Sequence, residues 1–109
     1  PDVVVLHCFS GDANFARAAS ERGWYCSFSG VLTFKNAEDL SEAVAVVRDE
    51  RLLVETDAPF LTPVPFRGKP NAPYLVPLTV RQLAEVRDLD EASLCGVLYE
   101  NSQRAFGEL

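Results

Sequence analysis

The sequence predicts an α/β protein built around three parallel strands. Three short apolar runs carry that prediction: Val3-Val4-Val5-Leu6, Trp24-Tyr25-Cys26-Ser27-Phe28 and Leu52-Leu53-Val54. Each is the length of a buried strand and each exits into polar or glycine-bearing sequence. Between them lie two stretches of helical period, so the order is strand, helix, strand, helix, strand, in units of about 25 residues. Repeated βαβ units of this kind pair in parallel through right-handed crossovers. No sequence repeat is visible beyond that pattern.

The first strand, residues 3–6, opens into His7-Cys8-Phe9-Ser10-Gly11. A helix follows over about residues 12–22, with Phe15, Ala18 and Ala19 at i, i+3 and i+4 on one apolar face. Gly23 is a natural residue to stop it. The second strand, residues 24–28, is ended by Gly30. Asn36 is placed to cap the next helix, residues 37–48. Its buried stripe is Leu40, Ala43, Val44 and Val47, with Glu38, Asp39 and Glu42 toward the end that the helix dipole favours for acids. The third strand covers residues 52–56. Residues 57–73 hold five of the seven prolines. They predict an ordered irregular loop anchored by Phe60, Leu61, Val64 and Phe66. A third helix starts near Pro77 and carries Val80, Leu83, Ala84 and Arg87 on its inner side. Asp90 caps a fourth, with Leu94, Val97 and Leu98 inward, and a separate last turn over residues 102–106 ends at Gly107.

The bulk properties bound the function. A chain of 109 residues is one domain at most. Its net charge of −6 argues against a surface that coats nucleic acid. A nuclease is still compatible, because bound divalent ions supply the positive charge that phosphate needs. No apolar run approaches the ~20 residues of a membrane span, and the first residues do not read as a secretory signal. Methionine is absent, which predicts a fragment or a piece of a cleaved chain. Cys8, Cys26 and Cys95 form no C-x-x-C pair, so reduced, mostly buried thiols in a cytoplasmic protein are expected.

Two strand exits carry candidate chemistry. His7 follows the first strand and Asp57 follows the third, with Glu55 two residues earlier. In α/β folds, ligands and metals bind at the carboxyl ends of strands. Imidazole and carboxylate are ligands for Zn²⁺, Mn²⁺ and similar ions. His7 is the single histidine of the chain, whereas a metal site wants at least three protein ligands. Glu55 would sit one step deeper than Asp57, ~6.6 Å down an extended strand, so it reads as an orienter of the ligands rather than a ligand. Blander readings stand beside these. His7 can be a hydrogen-bonded structural residue, and Glu55 and Asp57 can be turn chemistry ahead of Ala58-Pro59. A Cys8 nucleophile with His7 as base is disfavoured, because strand neighbours point to opposite faces. Gly11 and Gly30 either admit a phosphate to backbone N–H groups or are ordinary turn glycines. Lys35, Arg67 and Lys69 either meet phosphate or are solvated loop charge.

Several motifs together resemble the TatD family of metal-dependent hydrolases. They are His7-Cys8-Phe9-Ser10-Gly11, Ser27-Phe28-Ser29-Gly30, Thr33-Phe34-Lys35-Asn36-Ala37 and Leu53-Val54-Glu55-Thr56-Asp57-Ala58-Pro59. Leu61-Thr62-Pro63, Arg67-Gly68-Lys69 with Asn71, and the segment from Asn101 to Gly107 are similar to it as well. The resemblance runs the length of the chain in the right order. It implies the C-terminal portion of an amidohydrolase-like TIM (β/α)₈ barrel, with the three strands as the sixth, seventh and eighth. A full barrel takes about 250 residues, so residues 1–109 would be a partial one whose N-terminal part is absent.

The resemblance further implies a deoxyribonuclease or phosphodiesterase using one or two divalent ions, Mg, Mn or Zn. His7 would be a metal ligand. Asp57 would be a metal ligand and the catalytic residue that activates water. Substrate contacts at Lys35, Arg67 and Lys69 are weaker expectations, because Phe66 stands where many relatives carry a histidine and Pro70 where they carry a basic residue. The family's paired first-strand histidines, bridging glutamate and fifth-strand histidine are absent here. The chain alone is therefore expected to be inactive. Its sheet should need the missing N-terminal half or a second copy to cover it, a need that light scattering can test. Two other readings remain: a non-catalytic folding or assembly unit, and a related barrel hydrolase acting on other esters or amides.

Overall fold

A computed structural model describes residues 2–107 of the chain. Three parallel strands lie side by side in sequence order: β1 (Val5–Leu6), β2 (Tyr25–Phe28) and β3 (Leu52–Val54). Helix α1 (Ala13–Glu21) connects β1 to β2, and α2 (Glu38–Val46) connects β2 to β3. A long loop leads to α3 (Val76–Arg87) and α4 (Glu91–Phe106). Short 3-10 turns lie at Gly30–Thr33, Asp49–Arg51 and Pro73–Leu75. The α/β class and the parallel order are those expected from the apolar runs.

The strands are shorter than expected, for a reason visible in their partners. Val3 lies outside β1, 43% exposed, because β2 starts just after the Gly23 turn and offers it no neighbour. At the other end the last rung is the Glu55 N–H donating to the Phe28 carbonyl at 2.9 Å. Beyond Phe28 the chain turns away at Gly30, so Glu55 and Thr56 have no strand to continue along.

Pairing register places Leu6, Cys26 and Leu52 in one row, with Phe28 beside Val54. These residues form the core with Ala16 and Ala19 of α1, Ala43 and Val44 of α2, Leu83 and Ala84 of α3, and Leu94 and Leu98 of α4. Of the face expected for α1, only Ala19 is buried. Ala16, Ala19 and Ser20 face inward, while Phe15 and Ala18 are exposed. Small residues let the helix lie close to its neighbours. Phe15 instead meets the Phe9 ring edge-on at 5.8 Å. Asp12 caps α1 by accepting the Phe15 N–H, and Gly23, at φ +82°, follows its end as expected.

Helix α2 starts at Glu38 with Ala37 at its cap position and no side-chain cap; the exposed Asn36 does not cap it. Its carboxyl end is held by Arg87 of α3, which donates to the Val44 and Val47 carbonyls at 2.7 and 2.8 Å. A cation at that end also suits the helix dipole. Helix α4 runs unbroken to Phe106 rather than ending before a separate turn, and Gly107 stops it. Asn101 lies in its middle, 1% exposed. Its amide donates to the Asp49 and Leu52 carbonyls at 2.6 and 2.8 Å. That tertiary pairing outweighs the modest helix propensity of asparagine.

The proline-rich loop is ordered, but its expected anchors are mostly on the surface. Phe60, Val64 and Phe66 are 67%, 44% and 42% exposed. Thr62, Pro63 and Asn71 are buried instead. A Cβ at Gly30 would strike the Leu61 carbonyl and Pro63, and one at Gly11 would meet the Phe9 ring at 2.9 Å. Close packing therefore fills the space beside both glycines that a phosphate would need. All four helices pack on the face of the sheet that carries Cys26, Phe28 and Leu52. Ser102 and Phe106 of α4 join Val5, Ser27, Leu53 and Val54 around a hollow of about 360 Å³ on the other face.

The thiols divide by burial. Cys26 is buried, Cys8 is half-buried and Cys95 is exposed, all unpaired, so the expectation of mostly buried thiols holds for Cys26 alone. Burial pushes the Cys26 thiol from 9.0 to about 11. The unfolded chain then loses this proton before the folded one, so stability falls as pH rises from about 9 to 11. Alkylation of the native protein followed by mass spectrometry should label Cys95 and spare Cys26. Equal labelling of both would contradict the packing of β2.

Candidate metal centre

His7 leaves the end of β1, and Glu55 and Asp57 leave the end of β3, on the same rim of the sheet. Their ligand atoms all lie within 4.8 Å of one another. His7 Nδ1 is 2.8 Å from Glu55 Oε1, and His7 Nε2 is 3.6 Å from Asp57 Oδ1. The imidazole is open to solvent at 66% exposure, whereas the Glu55 carboxylate is largely covered at 14%.

The carboxylates converge more closely than an extended strand allows, because β3 has already ended. Asp57 takes a left-handed backbone conformation at φ 55°, and Cys8, next to His7, takes another at φ 50°. Such conformations are uncommon outside glycine and cluster at functional sites. The Cys8 N–H donates to Glu55 Oε2 at 3.0 Å. Glu55 thus bridges the two strand exits across β2. Its Oε1 is buried and has no well-aligned donor despite the short approach of Nδ1. Cys8 Sγ faces Ser29 Oγ at 3.6 Å, consistent with Cys8 lying off the imidazole.

This donor set fits a divalent ion. Two ligands bound at ~2.1 Å around a tetrahedral ion stand ~3.4 Å apart, close to the 3.6 Å between Nε2 and Oδ1. A histidine whose other ring nitrogen rests on a carboxylate is the usual arrangement behind a metal ligand, and Glu55 occupies that place.

Asn71 stood out in the sequence only beside Arg67-Gly68-Lys69 in a family-like motif, with nothing to show that it holds the turn that carries Asp57. Asn71 Nδ2 donates to the Thr56 and Phe60 carbonyls at 2.7 and 2.8 Å. Its own N–H donates to the Pro59 carbonyl at 3.0 Å. Both ends of the turn are therefore held by one buried amide. Asn71→Ala in the full-length protein is expected to weaken divalent-ion affinity by about tenfold or more, the scale of losing an outer contact behind a metal ligand. Calorimetric titration checks this, and unchanged affinity would show that the turn holds itself.

The three rim cations do not gather at one place. Lys35 and Arg67 line a hollow with Phe34, and the Arg67 guanidinium lies over the Phe34 ring at 4.0 Å. Lys69 lines a separate hollow with Phe66, Pro70, Tyr74 and Leu75. No helix among the described residues is long and apolar enough to cross a membrane.

Comparison with known proteins agrees with this architecture. The family described as TatD related DNase matches residues 1–107. An uncharacterized metal-dependent hydrolase, TatD, of Mycobacterium tuberculosis is 49% identical over 107 residues, covering 98% of this chain and 40% of the relative. Another, YabD of Bacillus subtilis, is 43% identical over 102 residues, covering 94% and 40%. Among solved structures, the TatD homolog YJJV of Escherichia coli superposes with TM-score 0.88 at 28% identity, covering 96% of this chain and 40% of that one. A TatD family hydrolase of Entamoeba histolytica has the same fold, with TM-score 0.80 at 19% identity over 95% of this chain and 42% of its own. The chain thus spans about 40% of the length of the curated relatives it matches. Its three strands are the C-terminal portion of a (β/α)₈ barrel. The chain belongs to the TatD-related DNase family of metal-dependent hydrolases.

Proposed function

We propose that this chain supplies one side of the metal centre of a phosphodiester hydrolase acting on DNA. His7 Nε2 and Asp57 hold a divalent ion, Mg, Mn or Zn, together with ligands outside this polypeptide. What carries the reading is the convergence of His7, Glu55 and Asp57 within 4.8 Å at the carboxyl rim of a parallel sheet. When bound, such an ion polarises a phosphoryl oxygen and makes water a nucleophile near neutral pH. Glu55 Oε1 lies 2.8 Å from Nδ1, which leaves Nε2 turned toward Asp57. The Asp57 carboxylate, one-third exposed, would accept a hydrogen bond from a water on the rim and take its proton as that water attacks phosphorus, while the P–O ester bond breaks and the leaving oxygen takes a proton from solvent.

The test is hydrolysis of a single-stranded DNA oligonucleotide by the full-length protein, titrated with each ion after chelation. Cleavage that returns with the ion supports the reading. No cleavage with any of the ions, in protein shown to bind them, would end it. Profiling of other esters and amides would then identify what the centre acts on.

A further inference from the structure

We propose that the hollow between Phe34, Lys35, Asn36 and Arg67 binds a second phosphate of the substrate, one that is not cleaved. The inference rests on the phosphodiesterase reading above and deepens it: the substrate carries at least two phosphates, as an oligonucleotide does.

The hollow stands on the rim that carries His7 and Asp57. Phe34 and Lys35 follow the 3-10 turn that leaves β2, and Arg67 belongs to the loop that leaves β3. The two segments are docked together. The Val64 N–H donates to Thr33 Oγ1 at 2.8 Å, and Gly30 makes room for Leu61 and Pro63. That docking sets the Arg67 guanidinium over the Phe34 ring, its carbon 4.0 Å from the ring centroid. A cation over the ring is held from one side, and the guanidinium's fork of N–H donors suits bidentate contact with a phosphate.

Charge and size select the ligand. Among the described residues, neither Lys35 nor Arg67 is ion-paired, whereas Arg81 and Arg87 are. Lys35, Arg67 and Asn36 all line the same hollow, in a chain of net charge −6. Two unpaired cations at one docked junction of an acidic chain suit an anion. The volume is about 240 Å³, below the ~300–1,000 Å³ of pockets that enclose whole small molecules. It suits a phosphate group with the adjoining sugar edge left outside.

The experiment uses the full-length protein, wild type and Arg67→Ala. Two substrates are compared: a thymidine trinucleotide, and the p-nitrophenyl ester of thymidine 5′-phosphate, which carries one phosphate. The preference for the trinucleotide, as a ratio of kcat/KM values, is expected to fall about tenfold, the scale of losing one charged hydrogen bond to phosphate. Arg67→Lys keeps the charge but not the fork, and should recover part of the preference. An unchanged ratio would overturn the proposal. Calorimetry with thymidine 3′,5′-bisphosphate on the metal-free protein separates this outcome from failure of the phosphodiesterase reading. About tenfold weaker binding by Arg67→Ala retains the phosphate site even where neither substrate is cleaved. Equal binding rejects it.

Discussion

Asp57→Asn is expected to abolish most of the hydrolytic activity of the full-length protein while leaving its fold intact. Asparagine matches aspartate in volume and is among the few residues that tolerate a left-handed backbone, so it can keep the φ of 55° found at Asp57. The substitution therefore isolates the charge. Without it, the oxygen 3.6 Å from His7 Nε2 belongs to a neutral amide, a weaker ligand for a divalent ion, and the rim water loses its proton acceptor. The expected loss is at least about 10²-fold in kcat/KM, the scale of removing a single transition-state contact. Divalent-ion affinity should fall with it, and the denaturation midpoint should not. Activity within a factor of two of wild type would remove Asp57 from the mechanism. A collapse of stability alone would make it a structural turn residue, the blander reading of its place before Ala58-Pro59.

The second large effect concerns the fold. Asn101→Leu keeps the branched outline and heavy-atom count of the side chain but removes both donors and the acceptor of a buried amide. The Asp49 and Leu52 carbonyls then lose partners now at 2.6 and 2.8 Å, and Arg104 loses the Asn101 Oδ1 it reaches at 2.7 Å. A buried polar group without a partner costs roughly 1–3 kcal/mol, so two carbonyls imply a loss of about 2–6 kcal/mol. Urea unfolding should show it as a lower midpoint at unchanged slope. The Arg81–Glu91 pair gives the contrast. It is more than half exposed on both sides, and Arg81→Ala should change stability by no more than about 1 kcal/mol. If the two variants were equally stable, Asn101 would not be the tie between α4 and β3.

These two asparagines show where sequence reading stops. The strands and the helices between them were legible, because apolar periodicity reports directly which residues face a core. The meeting of His7 with Asp57 was legible too, since both follow apolar runs and parallel strands share one exit rim. Asn71 and Asn101 look in the sequence like any loop or surface amide. Their partners are backbone carbonyls that carry no residue identity, and Leu52 lies 49 positions from Asn101. The face of α1 was misread for a related reason. Spacing alone admits Phe15 or Ala16 as the start of the inward stripe, and close packing chooses the smaller. The aromatic residues of the loop were expected to anchor it through apolar burial, whereas a polar clamp at Asn71 does so. The left-handed turns at Cys8 and Asp57 left no signal, since neither residue is glycine.

The most direct measurement is an anomalous difference map of the full-length protein soaked with Mn²⁺. A peak is expected about 2.0–2.2 Å from both His7 Nε2 and an Asp57 carboxylate oxygen, with Glu55 still against Nδ1. A peak bound by Glu55 without His7, or one held only by residues away from this rim, would contradict that placement.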